Sequence, residues 1–338
     1  MRYVFLLLFC CSVSFHLSAQ GFNPYKAYGE PAPQKSTFRT ILNKITVTAA
    51  SGFGHSFYSH DLNNYNIIIN EDRLYINPEN TSDYYYRWLN KPERADFTPN
   101  TDNIVRTDTA SVGFRGTGFS IPLMLSLHYQ YNRFRVGLGG SIEFHQFKKM
   151  EPDKYASTIG PYTESFSTMF TRFFGTFGVE LYQWYDYHYF LDVKIGGMGY
   201  GSGFDKSLMQ KKGMFINFGI PIERKFSEYF TVYVRPSYEF KNFTMGLPES
   251  DLAIKNKHQA FYINIGFRYN YPDMKRCPIK SCETQKRHLH QGREFRGRPF
   301  YKKQDPQIGE NYKHSPIFKK GNDKDAPKSN VRKKDPRK

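Results

Sequence analysis

Near the C-terminal end, two thiols and two imidazoles come closest to a set that could do chemistry. Cys277-Pro278-Ile279-Lys280-Ser281-Cys282 is followed by His288-Leu289-His290. These are ligand types suited to tetrahedral zinc, although the spacing departs from common zinc frameworks. In an oxidising compartment the plainer reading is a Cys277–Cys282 disulfide closing a small loop. A metal site using the His pair and a pair of free thiols stay open as alternatives. No metal is assigned on spacing alone, and no cofactor is expected.

A second group, His55, Ser56, His60 and Asp61, holds the imidazole, hydroxyl and carboxylate of a hydrolytic set. No partner stands at a distinctive spacing from it, and a nucleophile needs a base and an orienting group around it. These residues read as ordinary chemistry at a strand end, so the chain is expected not to be an enzyme.

The elements that would position these groups are legible from one stretch, 119–147. Odd positions from Phe119 run Ile121, Leu123, Leu125, Leu127 and Tyr129, with Ser120, Pro122, Met124, Ser126, His128 and Gln130 between them. After the joint Tyr131-Asn132-Arg133 the even positions become apolar: Phe134, Val136, Leu138, Ile142 and Phe144. Period two means β-strand, because successive side chains point to opposite faces of the pleat. Two strands this long about so tight a turn, with aliphatic outer rows and aromatic ends, fit tilted crossings of a bilayer.

The pattern repeats. Strands are expected at 44–58, 110–130, 133–147, 165–184, 187–200, 213–226, 229–243 and 259–271, making eight, an even number that closes an antiparallel barrel. The joints after the second, fourth and sixth are tight, whereas those after the others are longer. The insertion 59–109 is the longest, and its Ile67-Ile68-Ile69 and Leu74-Tyr75-Ile76 pieces predict a small hairpin above the membrane. Since barrels keep short turns periplasmic, both termini are expected there. The fold class is all-β: an eight-stranded antiparallel transmembrane β-barrel with a basic, largely irregular periplasmic C-terminal extension.

Composition agrees. Across 338 residues, aromatics reach 17%, with 26 Tyr and 31 Phe, which suits the girdles of a barrel. The mean hydropathy of -0.64 is too polar for a bundle of membrane helices. Residues 1–19 have the form of a secretory signal: Arg2, then apolar Val4 to Phe9, then Leu17-Ser18-Ala19. The run before Cys10 and Cys11 lacks the small residues of a lipoprotein signal. Residues 20–43 read as a periplasmic lead-in over the barrel mouth, 44–271 as the barrel and 272–338 as a basic periplasmic tail.

Inward positions carry Arg135, Arg172, Lys194, Lys225, Arg235, Lys241 and Arg268 against Glu143, Glu180, Asp192, Glu223 and Glu239. An eight-stranded barrel has an interior that side chains fill. A lone buried ion costs several kcal/mol, so these groups are expected to pair and to leave no open channel. The tail holds about 20 Lys/Arg against about 8 Asp/Glu, most of the net +17. It has too few aliphatics to bury a core of its own. Arg293, Phe295, Arg296, Arg298, Phe300, Tyr301 and Tyr312 keep aromatics among its charges, as segments that order on a partner do. Arg296-Gly297-Arg298-Pro299 matches the core of a minor-groove peptide, but export removes chromosomal DNA, and no nucleic-acid partner is expected.

Over 44–271 the chain resembles the small eight-stranded outer-membrane barrels of the OmpA/OmpX type, in its alternating rows, tight lower turns and charged interior. It departs from the simplest of them in continuing past Tyr271, so an assembly signal would be read internally at Phe267, Tyr269 or Tyr271. A small barrel with a long basic extension is also similar to accessory barrels of outer-membrane machines, such as type IX secretion or barrel-assembly complexes. That resemblance implies a non-catalytic anchor in the outer membrane, in contact with lipid. Its tail would dock a periplasmic or outer-membrane protein complex, or peptidoglycan. The alternatives are a surface-binding or adhesion barrel working through its outer loops and, more weakly, a small-solute pore.

Overall fold

The computed structural model describes residues 37–70, 73–79, 81–96, 104–105, 112–280, 282–290, 293–297, 301 and 303–305. The expected signal segment, the lead-in up to residue 36, Arg298, Phe300 and Tyr312 lie outside the described residues.

A helix, Thr37–Asn43, leads into β1 (Ile45–Asp61). The long insertion then contributes β2 (Tyr65–Asn70), β3 (Arg73–Pro78), β4 (Tyr85–Tyr86), β5 (Glu93–Arg94) and β6 (Ile104–Val105). The staves resume with β7 (Gly113–Tyr131), β8 (Phe134–Pro152), β9 (Phe166–Trp184) and β10 (Tyr187–Gly199). A short β11 (Met209–Lys211) precedes β12 (Met214–Gly219) and β13 (Ile222–Lys225), followed by β14 (Phe230–Gly246) and β15 (Ala253–Asn270). Beyond the ring, β16 (His288–His290) and β17 (Arg293–Phe295) form a small hairpin.

Each stave pairs antiparallel with its sequence neighbour, and β15 returns to pair with β1 from Thr46↔Asn270 to His60↔Asn256. The ring is closed. β12 and β13 are one stave interrupted at Pro221, which has no N–H to give the ladder. Register does not slip there, because Gly219 faces Asp192 and Ile222 faces Tyr189. The Ile220 N–H still reaches the Pro236 carbonyl at 3.0 Å, and the Phe190 N–H reaches that of Pro221 at 3.0 Å.

The outer rows fall where alternation puts them. Leu123, Leu125, Leu127, Val136, Leu138, Ile142, Ile195, Ile216 and Ile265 face outward, with Leu138 73% and Phe173 77% exposed. At the short-turn end the exposed ring includes Tyr131, Phe134, Tyr182, Trp184 and Tyr185, and Phe53, Phe57, Phe144 and Phe240 lie higher up. An apolar band this wide, bounded by aromatics, is the surface of a transmembrane barrel.

Several staves outrun their expected limits at the long-loop end. β1 continues to Asp61, β8 to Pro152, and β15 begins at Ala253 rather than 259. Lipid patterning marks only the part of a strand inside the bilayer, so residues above it pair without displaying an apolar outer row. The hairpin expected within 59–109 is β2–β3, in register from Tyr65↔Pro78 to Asn70↔Arg73, and it belongs to a five-stranded sheet, β5-β4-β3-β2-β6.

That sheet is fastened to the other long loops. Arg87 pairs with Glu164 at 2.7 Å, and Arg94, held within the insertion by Asp83 at 2.5 Å, pairs with Glu249 at 2.6 Å. The Asn90 side-chain amide donates to the Gly203 carbonyl at 2.9 Å, and the Tyr85 hydroxyl donates to that of Pro248 at 3.2 Å. Trp88, fully buried, meets Phe114 edge to face and packs at a tilt against Tyr162. The insertion therefore caps the barrel mouth at that end.

Candidate functional sites: the lumen and the lobe beneath the barrel

The lumen is filled in layers. Nearest the short turns, Arg135 makes two bonds to Glu223, at 2.7 and 3.1 Å, and Arg268 pairs with the same carboxylate. Above them Arg235 clasps Asp192 at 2.6 and 2.8 Å and donates to Asn217 at 2.7 Å. Gly219 leaves the space that the Arg235 guanidinium occupies, since a Cβ there would collide with it. Higher again, Arg172 joins Glu143, Glu239 at 3.0 Å and the Tyr262 hydroxyl at 2.9 Å, while Lys241 meets Glu239 at 3.3 Å. Glu180 bonds His188 at 2.5 Å; Lys194 lies 4.9 Å over the Phe174 ring, with Met124 Sδ at 3.5 Å. Each of these charges sits at an inward parity position, which is why distant strands bring them together.

Over the ionic layers lies an aromatic one, with Tyr58, Phe147, Phe170, Tyr200, Phe204 and Phe243 in contact. An interior cavity bounded by Arg172, Phe174, Lys194, Arg235 and Glu239 measures about 20 Å³, room for a single water. A groove of about 820 Å³ lined by Ala49, Leu123, Leu125, Ile142, Phe173 and Ile265 lies on the outer face, toward lipid. Tyr262, Tyr58, Asn217 and His145 complete the lumen network and were not among the sequence candidates. Their inward parity on already assigned strands was the signal available for them.

The hydrolytic set does not assemble. Alternation along β1 sends His55 and Asp61 outward and exposed, whereas Ser56 and His60 point inward and are buried. His60 is spent on Trp88, whose indole N–H lies 3.0 Å from its Nε2. Asp61 accepts from Asn63 at 3.1 Å.

The sulfur and imidazole groups do converge. Below the barrel, the described part of 272–305 folds back as a lobe. Arg276 bridges Arg296 in parallel, the Cys277 N–H reaches the Arg296 carbonyl at 3.2 Å, and the Arg296 N–H reaches that of Lys275 at 3.0 Å. Asp273 holds Arg287 through bonds of 2.9 and 3.0 Å. The lobe docks on the barrel's own turn between β13 and β14. There Gln304 donates its N–H to the Phe226 carbonyl at 2.8 Å, and its side chain accepts from the Glu228 N–H at 3.0 Å. The described part of this largely irregular extension carries one small hairpin and rests on the barrel.

Within the lobe, the ligand atoms of Cys277, Cys282, His288 and His290 lie within 4.8 Å of one another. No disulfide joins Cys277 and Cys282 in this structure. Period two on β16 puts both imidazoles on one face, each with Nε2 at 3.3 Å from Cys282 Sγ. His288 Nδ1 is 2.8 Å from the Lys286 carbonyl. Burial holds the His288 imidazole below its ordinary value. Burial works to raise the Cys282 thiol, but bonds from His290 and Thr284 outweigh it and bring the group down to about 7.

Of the residues expected to dock a partner, Phe295 lies half-buried against His290, 6.2 Å between centroids, and Arg296 closes the lobe. Arg293 lies in β17, opposite His290, and Tyr301 is exposed.

The fold defines the class of the chain as a closed eight-stranded transmembrane β-barrel. No protein-family profile and no curated protein matches it. Among solved structures it is similar to Neisserial surface protein A, at 10% identity and TM-score 0.33, covering 68% of this chain and 97% of that one. The outer membrane protein AlkL also gives 10% and 0.33, covering 71% and 95%. The outer membrane protease OmpT from Escherichia coli gives 9% and 0.29, covering 67% and 97%. Likeness at this level carries no weight on activity.

Proposed function

We propose that the chain is a non-catalytic outer-membrane anchor whose basic C-terminal segment, on the periplasmic side, docks a protein complex of the envelope. One observation carries this reading. The lumen is packed with paired charge and aromatic rings, the mouth at the long-loop end is capped, and the last described residues, 303–305, lie at the short-turn end. On the rule that short turns sit on the periplasmic side of such barrels, the excess Lys and Arg of the tail would meet periplasmic partners. An accessory place in secretion or outer-membrane assembly machinery suits that arrangement, and peptidoglycan is an alternative acidic partner.

Deleting 306–338 from the full chain, followed by cross-linking in intact cells, tests the proposal. The expected result is loss of the cross-linked envelope complex with the barrel still inserted. Retention of the complex would overturn it. The outer-loop reading has one observation in its favour, that the cap of β2 to β6 is a built surface pinned by ion pairs. Replacing 65–105 by a short turn tests that reading. A lost surface-binding phenotype with an unaltered envelope complex favours it.

A further inference from the structure

We propose that Cys277, Cys282, His288 and His290 form a tetrahedral zinc site that staples the lobe together beneath the barrel. The donors come from two places: a loop carrying the two thiols, and one face of β16 carrying the two imidazoles. Two soft thiolates and two imidazoles in a cluster are a donor set suited to zinc rather than to the oxygen-seeking cations.

Geometry supports a shared ion. Zn–S near 2.3 Å and Zn–N near 2.0–2.1 Å place sulfur and nitrogen roughly 3.5 Å apart in a tetrahedron. Both imidazoles have Nε2 at 3.3 Å from Cys282 Sγ, and the whole quartet falls within 4.8 Å. A disulfide would account for the two cysteines and leave two imidazoles converging on one sulfur with nothing to bind.

The outer contact of His288 has the form a metal ligand requires. Its Nδ1–H donates to the Lys286 carbonyl at 2.8 Å, which fixes the tautomer and leaves the Nε2 lone pair toward the sulfurs. Cys277 and His288 are buried while Cys282 and His290 are partly open, so an ion could enter from one side.

The lobe also needs such a staple. β16 and β17 have three residues each, and few buried apolar side chains, Met274 among them, support them. A fold this small usually depends on a metal or a cross-link. The site lies beside the Cys277–Arg296 closure, so zinc would also fix where the chain leaves the lobe.

The test uses the full mature chain, purified in detergent from cells grown with zinc. Metal is measured by mass spectrometry and thiols are titrated in denaturant with and without reductant. Two double variants are compared, Cys277→Ser with Cys282→Ser, and His288→Ala with His290→Ala. Heat-dependent gel mobility verifies that each barrel is folded. About one equivalent of zinc is expected in the parent, falling roughly tenfold or more in both variants with the barrel intact. Replacement by cobalt is expected to give the strong visible absorption of a tetrahedral thiolate complex. Thiols that titrate only after reduction would establish a disulfide and overturn the site. A zinc-free chain with two titratable thiols would overturn it as well, as would zinc retained in the histidine variant.

Discussion

The barrel lumen and the lobe below it both bury polar side chains, but they hold them differently. In the lumen Arg172 has Glu143, Glu239 and Tyr262 around it, and Glu223 serves both Arg135 and Arg268. Those groups come from strands far apart in sequence, fixed by ladders that close on themselves. In the lobe, Arg287 answers to Asp273 and Gln304 bridges to a single turn. Closure supplies the lumen with redundancy; the lobe has a few contacts and four convergent ligands. Damage in the first should be felt by the whole barrel, and damage in the second should stay local.

The largest effect expected is at Arg235. Replacing it by Leu leaves Asp192 buried with its main partner gone, a change that costs about 3–5 kcal/mol when one member of a buried pair is removed. Adding Asp192→Leu should recover much of that loss, because the uncompensated charge disappears with it. Urea unfolding in lipid vesicles, read by gel mobility, measures both. Equal losses in the single and double variants would mean that the pair is not what holds this layer.

Next in size is Leu125→Arg on the outer face, where Leu125 is 60% exposed toward lipid. A cation near the bilayer midplane costs about 2–4 kcal/mol in such barrels. Tyr301→Arg, on the exposed surface of the lobe, should change barrel stability by no more than about 0.5 kcal/mol. If the two substitutions have the same effect, the apolar band does not face lipid.

A smaller, local loss is expected from Asp273→Ala. It removes a partly exposed ion pair with Arg287, a contact of about 1 kcal/mol or less. Amide exchange over β16 and β17 should quicken while exchange in β1 and β15 stays unchanged. Quickened exchange in β1 would show that the lobe is part of the barrel's cooperative unit.

The same contrast explains what the sequence disclosed. Rows such as Leu123, Leu125 and Leu127 announce the staves because lipid leaves period two in the residues it touches. Interior charges follow from parity, so Arg172 and Glu239 were nameable, but which pairs with which depends on tilt and shear that no single strand records. The ends beyond Tyr58 and before Gln259 pair without facing lipid, and their sequence loses the mark. In the lobe, the ligand types of Cys277, Cys282, His288 and His290 were plain, whereas their meeting depends on the Arg276–Arg296 bridge, twenty residues of chain apart with no periodicity to foretell it.

Glu228 tests the lobe's hold at its weakest point. It lies in the turn that Gln304 grips, and burial raises its carboxyl above the ordinary value, with Asp273 adding to the rise and Arg287 and Lys286 opposing it. Arg287 is already committed to Asp273 by two bonds, so it compensates Glu228 only in part. The folded state therefore holds this proton more tightly than the unfolded chain does. Docking is strongest below the unfolded carboxylate value, and that increment is lost as pH rises through the raised folded value. Limited proteolysis should accordingly release the lobe more slowly at about pH 5 than at about pH 8. Glu228→Gln should remove most of the difference, and remove it by slowing cleavage at the higher pH. Equal pH dependence in the variant would place the titrating group elsewhere and leave the turn as a passive seat.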